Sequence, residues 1–345
     1  MTVSPPEPRP TLEVVAARAG VSRATASRVL RGAANVSPRA RDAVLAAAAE
    51  LSYSVNHAAR SLVTRRSDSI AFLVAENEDR MFHDPYFLGV LRGAQGEAAR
   101  CGVQLVFAIA ATAAERRQFV QFVGSGHVDG VLLVSLHGDD SLARDLEGLG
   151  VPTVLNGRPF AAETDLFSVD SDNVGGARIA TARLIDRGCR AIATITGPLD
   201  MSAGRDRLAG FRAALGSAGL DPDGPPLAEG DFTLDGGAAA MEMLLREHPE
   251  LDAVFVASDL MALGALRTLA EHGRRVPEDV AVIGFDDVRE AQLAAPALST
   301  VRQPLDELGR TMTRVLLART GAVDAGPGPR QRTVLATELV LRQTA

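Results

Sequence analysis

Apolar positions fall into two regimes along the chain. In the first sixty or so residues they recur every three or four positions, and from Ser69 onward short β-branched runs alternate with longer helical stretches. In the first regime Leu12, Val15, Ala16 and Ala19 share one face of a helix that Thr11 is placed to cap. Gly20 ends that helix, because the residue after its last turn must tolerate a left-handed backbone. Val21 fills the corner, and Ser22 caps a second helix over 23–31 with Ala26, Val29 and Leu30 inward and Gly32 as its stop. Ser37 followed by Pro38 is another start signal, and the third helix reaches Leu51 with Val44, Leu45, Ala48 and Leu51 facing the core.

The second regime predicts an α/β body. Segments 70–74, 103–107, 131–134 and 152–155 read as buried parallel strands, with crossover helices over 85–100 and 114–124. A second series has strands at 191–196, 253–256 and 280–285. Two successive series imply two doubly wound parallel-sheet subdomains, with ligands bound in the cleft at the C-terminal strand ends.

Charge sharpens this picture. The net charge is −7, yet residues 1–66 hold ten Arg against four acids while the remainder is strongly acidic. A small basic head on an acidic body suits a protein that presents one end to a polyanion. All 36 basic residues are Arg, so every cationic contact must come from a guanidinium. A GC-rich genome would also produce that bias, and no role is assigned to it. Three short helices with a tight first turn form a helix-turn-helix, whose second helix enters the major groove. Arg23 and Ala24, with Arg28 one turn on, are then the base readers: Arg pairs bidentately with guanine, and Ala touches a thymine methyl. Thr11, Ser22, Thr25 and Ser27 are placed for phosphates. The competing reading is a three-helix interaction module whose Arg are merely solvated.

The run from Thr11 to Gly32 resembles the headpiece of the LacI/GalR family of bacterial regulators, and Val36-Ser-Pro-Arg-Ala-Arg and Ala49-Glu-Leu-Ser-Tyr53 continue the likeness. Residues 56–62, with Asn56, Ala59 and Leu62, resemble that family's hinge helix, and Tyr53 precedes it. The resemblance implies that paired hinge helices enter the minor groove, with Leu62 as the wedge at the central step. Val-Asp-Gly at 128–130, the run 205–211, Ala-Ser-Asp-Leu-Met-Ala-Leu-Gly at 257–264, Val-Ile-Gly-Phe-Asp-Asp at 282–287 and the run 298–304 resemble the family's effector domain, itself similar to periplasmic sugar-binding proteins. The expected organisation is a disordered tail at 1–10, a headpiece at 11–55, a hinge helix and linker at 56–66, and an effector-binding and dimerisation domain at 67–345. Within that domain, subdomain 1 is expected at about 67–168 plus 300–328, and subdomain 2 at about 169–299 plus 329–345.

Carried over onto these positions, the family's pocket implies Arg207, Phe232 and Asp286 from the second subdomain. Asp84, Tyr86, Ser135 and Asn156 come from the first, with Ser258 and Gln303 as further candidates. An Arg and carboxylates beside an aromatic face suit a sugar, whose rings have apolar faces and hydroxyl edges. Asp286 serving only loop amides, Arg207 in a structural ion pair and Phe232 as plain core are the alternatives. A nucleobase or other metabolite acting as corepressor is the alternative effector. The expected partners are an operator duplex, a small-molecule effector and a second copy of the chain, with a tetramer left open.

Enzyme readings find little to stand on. The six His show no metal-ligand spacing, Asp139-Asp140 and Asp286-Asp287 are adjacent and point apart, and no nucleophile elbow or phosphate loop occurs. No cofactor is expected. Cys101 and Cys189 read as structural thiols of a reducing compartment. The Pro-rich start carries no apolar run, so a cytoplasmic location is expected over a secreted transport-type binding protein.

Overall fold

The computed structural model describes residues 10–30, 35–53, 66–138, 140–160, 165–323 and 330–345. The chain divides into two units at Ser67 and Asp68.

The first unit is three helices, α1 (Leu12–Arg18), α2 (Arg23–Leu30) and α3 (Pro38–Glu50). Val15, Ala26 and Val44, one from each, are fully buried at their junction. Gly20 takes the left-handed backbone (φ +64°) that the turn demands. Ser22 Oγ accepts from Thr25 N at 3.2 Å, and Ser37 Oγ from Ala40 N at 3.4 Å, so both serines cap as expected. Two expectations fail. Thr11 holds the N-cap position, but its side chain makes no capping bond. Leu45 is 50% exposed, and Ala47 takes the inward place. The cause is helical pitch: 44, 47, 48 and 51 share one face, whereas 45 lies about 100° round the axis from 44. Gly32 and the hinge residues Asn56, Ala59 and Leu62 lie outside the described residues, as do residues 1–9.

The second unit contains twelve strands among its described residues. They are β1 (Ser69–Val74), β2 (Gln104–Ile109), β3 (Val131–Val134), β4 (Thr153–Asn156), β5 (Phe167–Ser171) and β6 (Ile192–Thr196), then β7 (Leu227–Glu229), β8 (Ala253–Val256), β9 (Ala281–Asp286), β10 (Ser299–Arg302), β11 (Arg332–Leu335) and β12 (Glu338–Val340). One sheet runs β2-β1-β3-β4-β5-β11, wholly parallel. The other runs β7-β6-β8-β9-β10-β12, parallel except for β12, which lies antiparallel to β10. Successive residues of β1 go to opposite faces: Ile70, Phe72 and Val74 join one apolar cluster, and Ala71 and Leu73 the other. Burial on both faces is what makes these strands read as continuous apolar runs.

The chain passes between the sheets three times, after β5, after β10 and after β11. This corrects the expected subdomain limits. Residues 169–171 belong to the first sheet, because β5 pairs with β4 and β11, and so does β11 itself. Residues 300–302 belong to the second, because β10 pairs with β9. Each passage is only a few residues long, so the subdomains are joined by three short strands of backbone at one edge.

The helix Leu305–Arg319, entering from the second sheet, packs on the helix Pro85–Arg100 of the first subdomain at glycine-to-backbone distance. A Cβ at Gly93 would lie 1.9 Å from Asp306 O, and one at Gly309 2.0 Å from Val90 O. Backbone oxygens cannot yield as side chains do. Gly93→Ala is therefore expected to cost about 1–3 kcal/mol, seen in urea melts of the body; an unchanged midpoint would contradict this close approach.

Candidate functional site

The loops that leave the C-terminal ends of both sheets face one another across a cleft. Open parallel sheets bind ligands at that edge. Eight of the nine sequence-predicted pocket residues line it: Asp84, Tyr86, Ser135 and Asn156 from the first subdomain, and Arg207, Phe232, Asp286 and Gln303 from the second and its exit strand. Ser258 does not. It is buried as the N-cap of the helix Asp259–Glu271, its Oγ accepting from Met261 N at 3.3 Å. The family resemblance carried it to the pocket, but its hydroxyl is taken by this capping bond.

Arg207 lies at the centre, 4% exposed. Its Nε donates to Asn173 Oδ1 at 2.9 Å, Nη1 donates to the Ala257 carbonyl, and Asp286 Oδ1 stands 3.6 Å from Nη1. Gln303 Nε2 donates to the same Asp286 oxygen at 2.6 Å. The guanidinium sits 3.9 Å from the Phe285 ring centre and 5.8 Å from that of Phe232. Across the cleft Tyr86 Oη donates to Asn156 Oδ1 at 2.6 Å. Asp84 caps the helix Pro85–Arg100 by accepting from Tyr86 N at 3.0 Å. Ser135 Oγ donates to Glu76 at 2.7 Å.

Burial governs the acid–base state of the cleft. It pushes the Asp286 carboxyl up to about 7 against the pull of Arg207, and that of Asp170 up to about 6, with Asp206 adding to it. Asp84 is raised by the same cause. Burial also lifts the Tyr86 phenol far above its ordinary value, so it is a donor throughout the working range.

The backbone is strained where the side chains converge. Six non-glycine residues among the described ones take a left-handed backbone, and three of them, Ser135, Phe232 and Asp286, line this cleft (φ 63°, 64° and 121°). Such strain costs about 1–3 kcal/mol each and collects at ligand sites. Phe232 can hold its place only because residue 197 is glycine: a Cβ there would lie 2.1 Å from the ring.

Sequence reasoning missed Arg80, Arg158, Asp170 and Asn173, all of which line the cleft. Asp170 and Asn173 flank the passage after β5, a strand with too few apolar residues to announce itself. Arg80 stands on the short helix Glu78–His83, which carries no periodic signal. Arg158 follows β4 in an Asn-Gly-Arg-Pro turn and could have been found there.

In the first unit α2 presents Arg23, Ala24 and Arg28 outward, all exposed. Arg23 Nε is held by Glu13 at 2.8 Å, whereas Arg28 has no ion pair or hydrogen bond among the described residues. Thr25 and Ser27 are half-buried beside them, and Ser22 shares a 2.9 Å hydroxyl contact with Thr25. Tyr53 packs against the headpiece core.

Residues 11–56 match the model of bacterial regulatory proteins of the lacI family, and residues 181–345 that of a periplasmic binding protein-like domain. The HTH-type transcriptional regulator CelR of Thermobifida fusca is 48% identical over 337 residues, 97% of this chain and 98% of that protein. This chain belongs to the lacI family. The ribose operon repressor of Halalkalibacterium halodurans is 32% identical, over 97% of this chain and 96% of its own length. Among solved structures, the CelR–cellobiose complex superposes with a TM-score of 0.78 at 46% identity, covering 98% of this chain and 100% of that one. The lac repressor dimer bound to operator and the anti-inducer ONPF superposes at 0.83 with 28% identity, covering 98% and 99%. This lacI-family chain is thus a DNA-binding transcriptional regulator, not an enzyme, with a helix-turn-helix head and a two-subdomain effector body. No helix among its described residues is long and apolar enough to cross a membrane.

Proposed function

We propose that this regulator works in the cytoplasm as a homodimer, holding a palindromic operator until a glucose disaccharide of the cellobiose type enters the cleft. The observation that carries the reading is the convergence of Asp84, Arg207 and Asp286 beside the Phe232 ring. Carboxylates and a guanidinium meet hydroxyl edges, and the ring meets the apolar face of a pyranose. The CelR relative, seen with cellobiose, supports the same class of ligand. On the DNA side, Arg23, Ala24 and Arg28 read base edges, while Thr11, Ser22, Thr25 and Ser27 hold phosphates. Tyr53, Asn56, Ala59 and Leu62 carry the contact into the hinge. The lac repressor dimer on its operator supports this arrangement. Ligand differentially stabilises one closure of the cleft and so shifts the DNA-binding equilibrium.

Calorimetric titration with cellobiose tests the ligand half. Sugar hydroxyls donate to an ionised carboxylate, so binding should draw the Asp286 proton off. Asp286 titrates near 7 in the free cleft, so affinity should rise about tenfold between pH 6 and pH 8, with proton release visible in buffers of unlike ionisation heat. The sign for the ligand-free body is opposite: folded Asp286 keeps a proton that the unfolded chain has lost, so stability falls as pH rises from about 4 to 7. No saturable heat with cellobiose at any pH would defeat the sugar reading.

A further inference from the structure

The far side of the cleft from the three passages is spanned by residues 200–206, the segment that follows β6 and opens the helix Ser202–Ser217. In the second sheet β6 stands three strands from β10, about 14 Å from the passage after β10 at ordinary strand spacing. The first subdomain grips this segment at both ends. At one end the Asp200 carbonyl accepts from Gly138 N at 2.6 Å, and its carboxylate contacts His137 Nδ1 at 2.9 Å. The other nitrogen of His137 meets Glu76 at 2.8 Å, and Arg80, itself paired with Glu76, reaches Met201 Sδ at 3.9 Å. At the other end Arg158 holds Asp206 through two parallel bonds of 2.7 Å each. Beside it the Arg205 guanidinium lies 4.0 Å from the centre of the Phe160 ring.

The contacts of Gly138 and His137 with Asp200, of Arg80 with Met201, of Arg158 with Asp206 and of Phe160 with Arg205 each join one subdomain to the other. The Arg158–Asp206 pair is a two-pronged, charge-assisted contact and is mostly shielded, with side-chain exposures of 25% and 14%. Arg158, Phe160, Gly138, Met201, Ser202 and Ala203 all border the cleft, and Asp84, Arg207 and Asp286 lie in its buried polar part. Together these contacts bridge the cleft on the side away from the three passages, so that a ligand extended in this direction from Arg207 and Asp286 runs up against residues 200–206.

Resting on the sugar reading above, we propose that segment 200–206 and its grips, Arg158–Asp206, Phe160–Arg205 and His137–Asp200, form a gate that selects ligand by chain length. With the inner ring fixed on Arg207 and Asp286, a second ring lies under the gate and is enclosed when it shuts. A third ring collides with residues 200–206 or holds the grips apart, and the closure that signals to DNA is lost. Specificity against longer chains is then a clash built into the closed state rather than a missing contact.

The test compares the affinities of cellobiose and cellotriose by calorimetry for the full chain, for Arg158→Ala and for Phe160→Ala, with a thermal melt of each. The expected result is at least tenfold preference for cellobiose in the unaltered chain, falling to threefold or less in both variants while cellobiose itself binds somewhat more weakly. Should Arg158→Ala melt early, Phe160→Ala carries the comparison alone. Equal affinities for the two sugars in the unaltered chain, or a preference unchanged by the substitutions, would overturn the gate and leave the sugar reading standing. Failure of both sugars to bind the unaltered chain would overturn that reading and the gate with it.

Discussion

Asp286→Ala should abolish the response to ligand while leaving ligand-free DNA binding intact. The Asp286 carboxylate is the acceptor for Gln303 at 2.6 Å and faces Arg207 at 3.6 Å. Its removal takes away a hydroxyl acceptor and leaves Arg207, 4% exposed, without its carboxylate neighbour. Loss of charge-assisted bonds on this scale, about 3 kcal/mol or more, corresponds to a fall in sugar affinity of at least about 100-fold. Asp286→Asn keeps the shape and separates the loss of charge from the loss of packing; it should lose most of the affinity too. DNA affinity without ligand should stay within about twofold, since the headpiece is a separate unit. A variant that still binds sugar and still responds in a gel shift would misplace the cleft's centre.

Arg28→Ala should produce the largest effect on the DNA side. Arg28 is exposed on α2 and has no partner among the described residues that it must surrender. A bidentate contact to guanine discriminates by about 1–3 kcal/mol, and a two-fold-symmetric dimer makes it twice, so the operator affinity should drop by about 2–6 kcal/mol. The loss should be confined to one base position in each half-site. Arg23→Ala should cost less, because Arg23 first has to leave Glu13, 2.8 Å away. Gel shifts on operators altered at single positions distinguish the cases. An Arg28→Ala loss equal on operator and random duplex would make that side chain a phosphate contact instead.

How far the sequence could be read follows from how each element is buried. β1, β3, β8 and β9 are covered on both faces, and their unbroken apolar runs announce them. β5 and β10 alternate small polar residues with few apolar ones, so the two passages that follow them were placed a few residues out. Their polarity has a cause: Asp170, Ser171 and Gln303 sit where the strands end at the cleft, and the chemistry there overrides the strand pattern. Resemblance to family motifs brought Arg207, Asp286 and Phe232 to the cleft, but no spacing rule could foresee that Arg158 would find Asp206, 48 residues away. Leu45 and Ser258 show the opposite limit. Each is the right type of residue at nearly the right place, turned aside by helical pitch in one case and by a capping bond in the other.

The most direct test of the whole account is selection of bound duplexes from a random DNA library by the full chain, with and without cellobiose. The account predicts enrichment of one palindrome, lost when cellobiose is present. Absence of enrichment without cellobiose, or enrichment that persists in its presence, would contradict it.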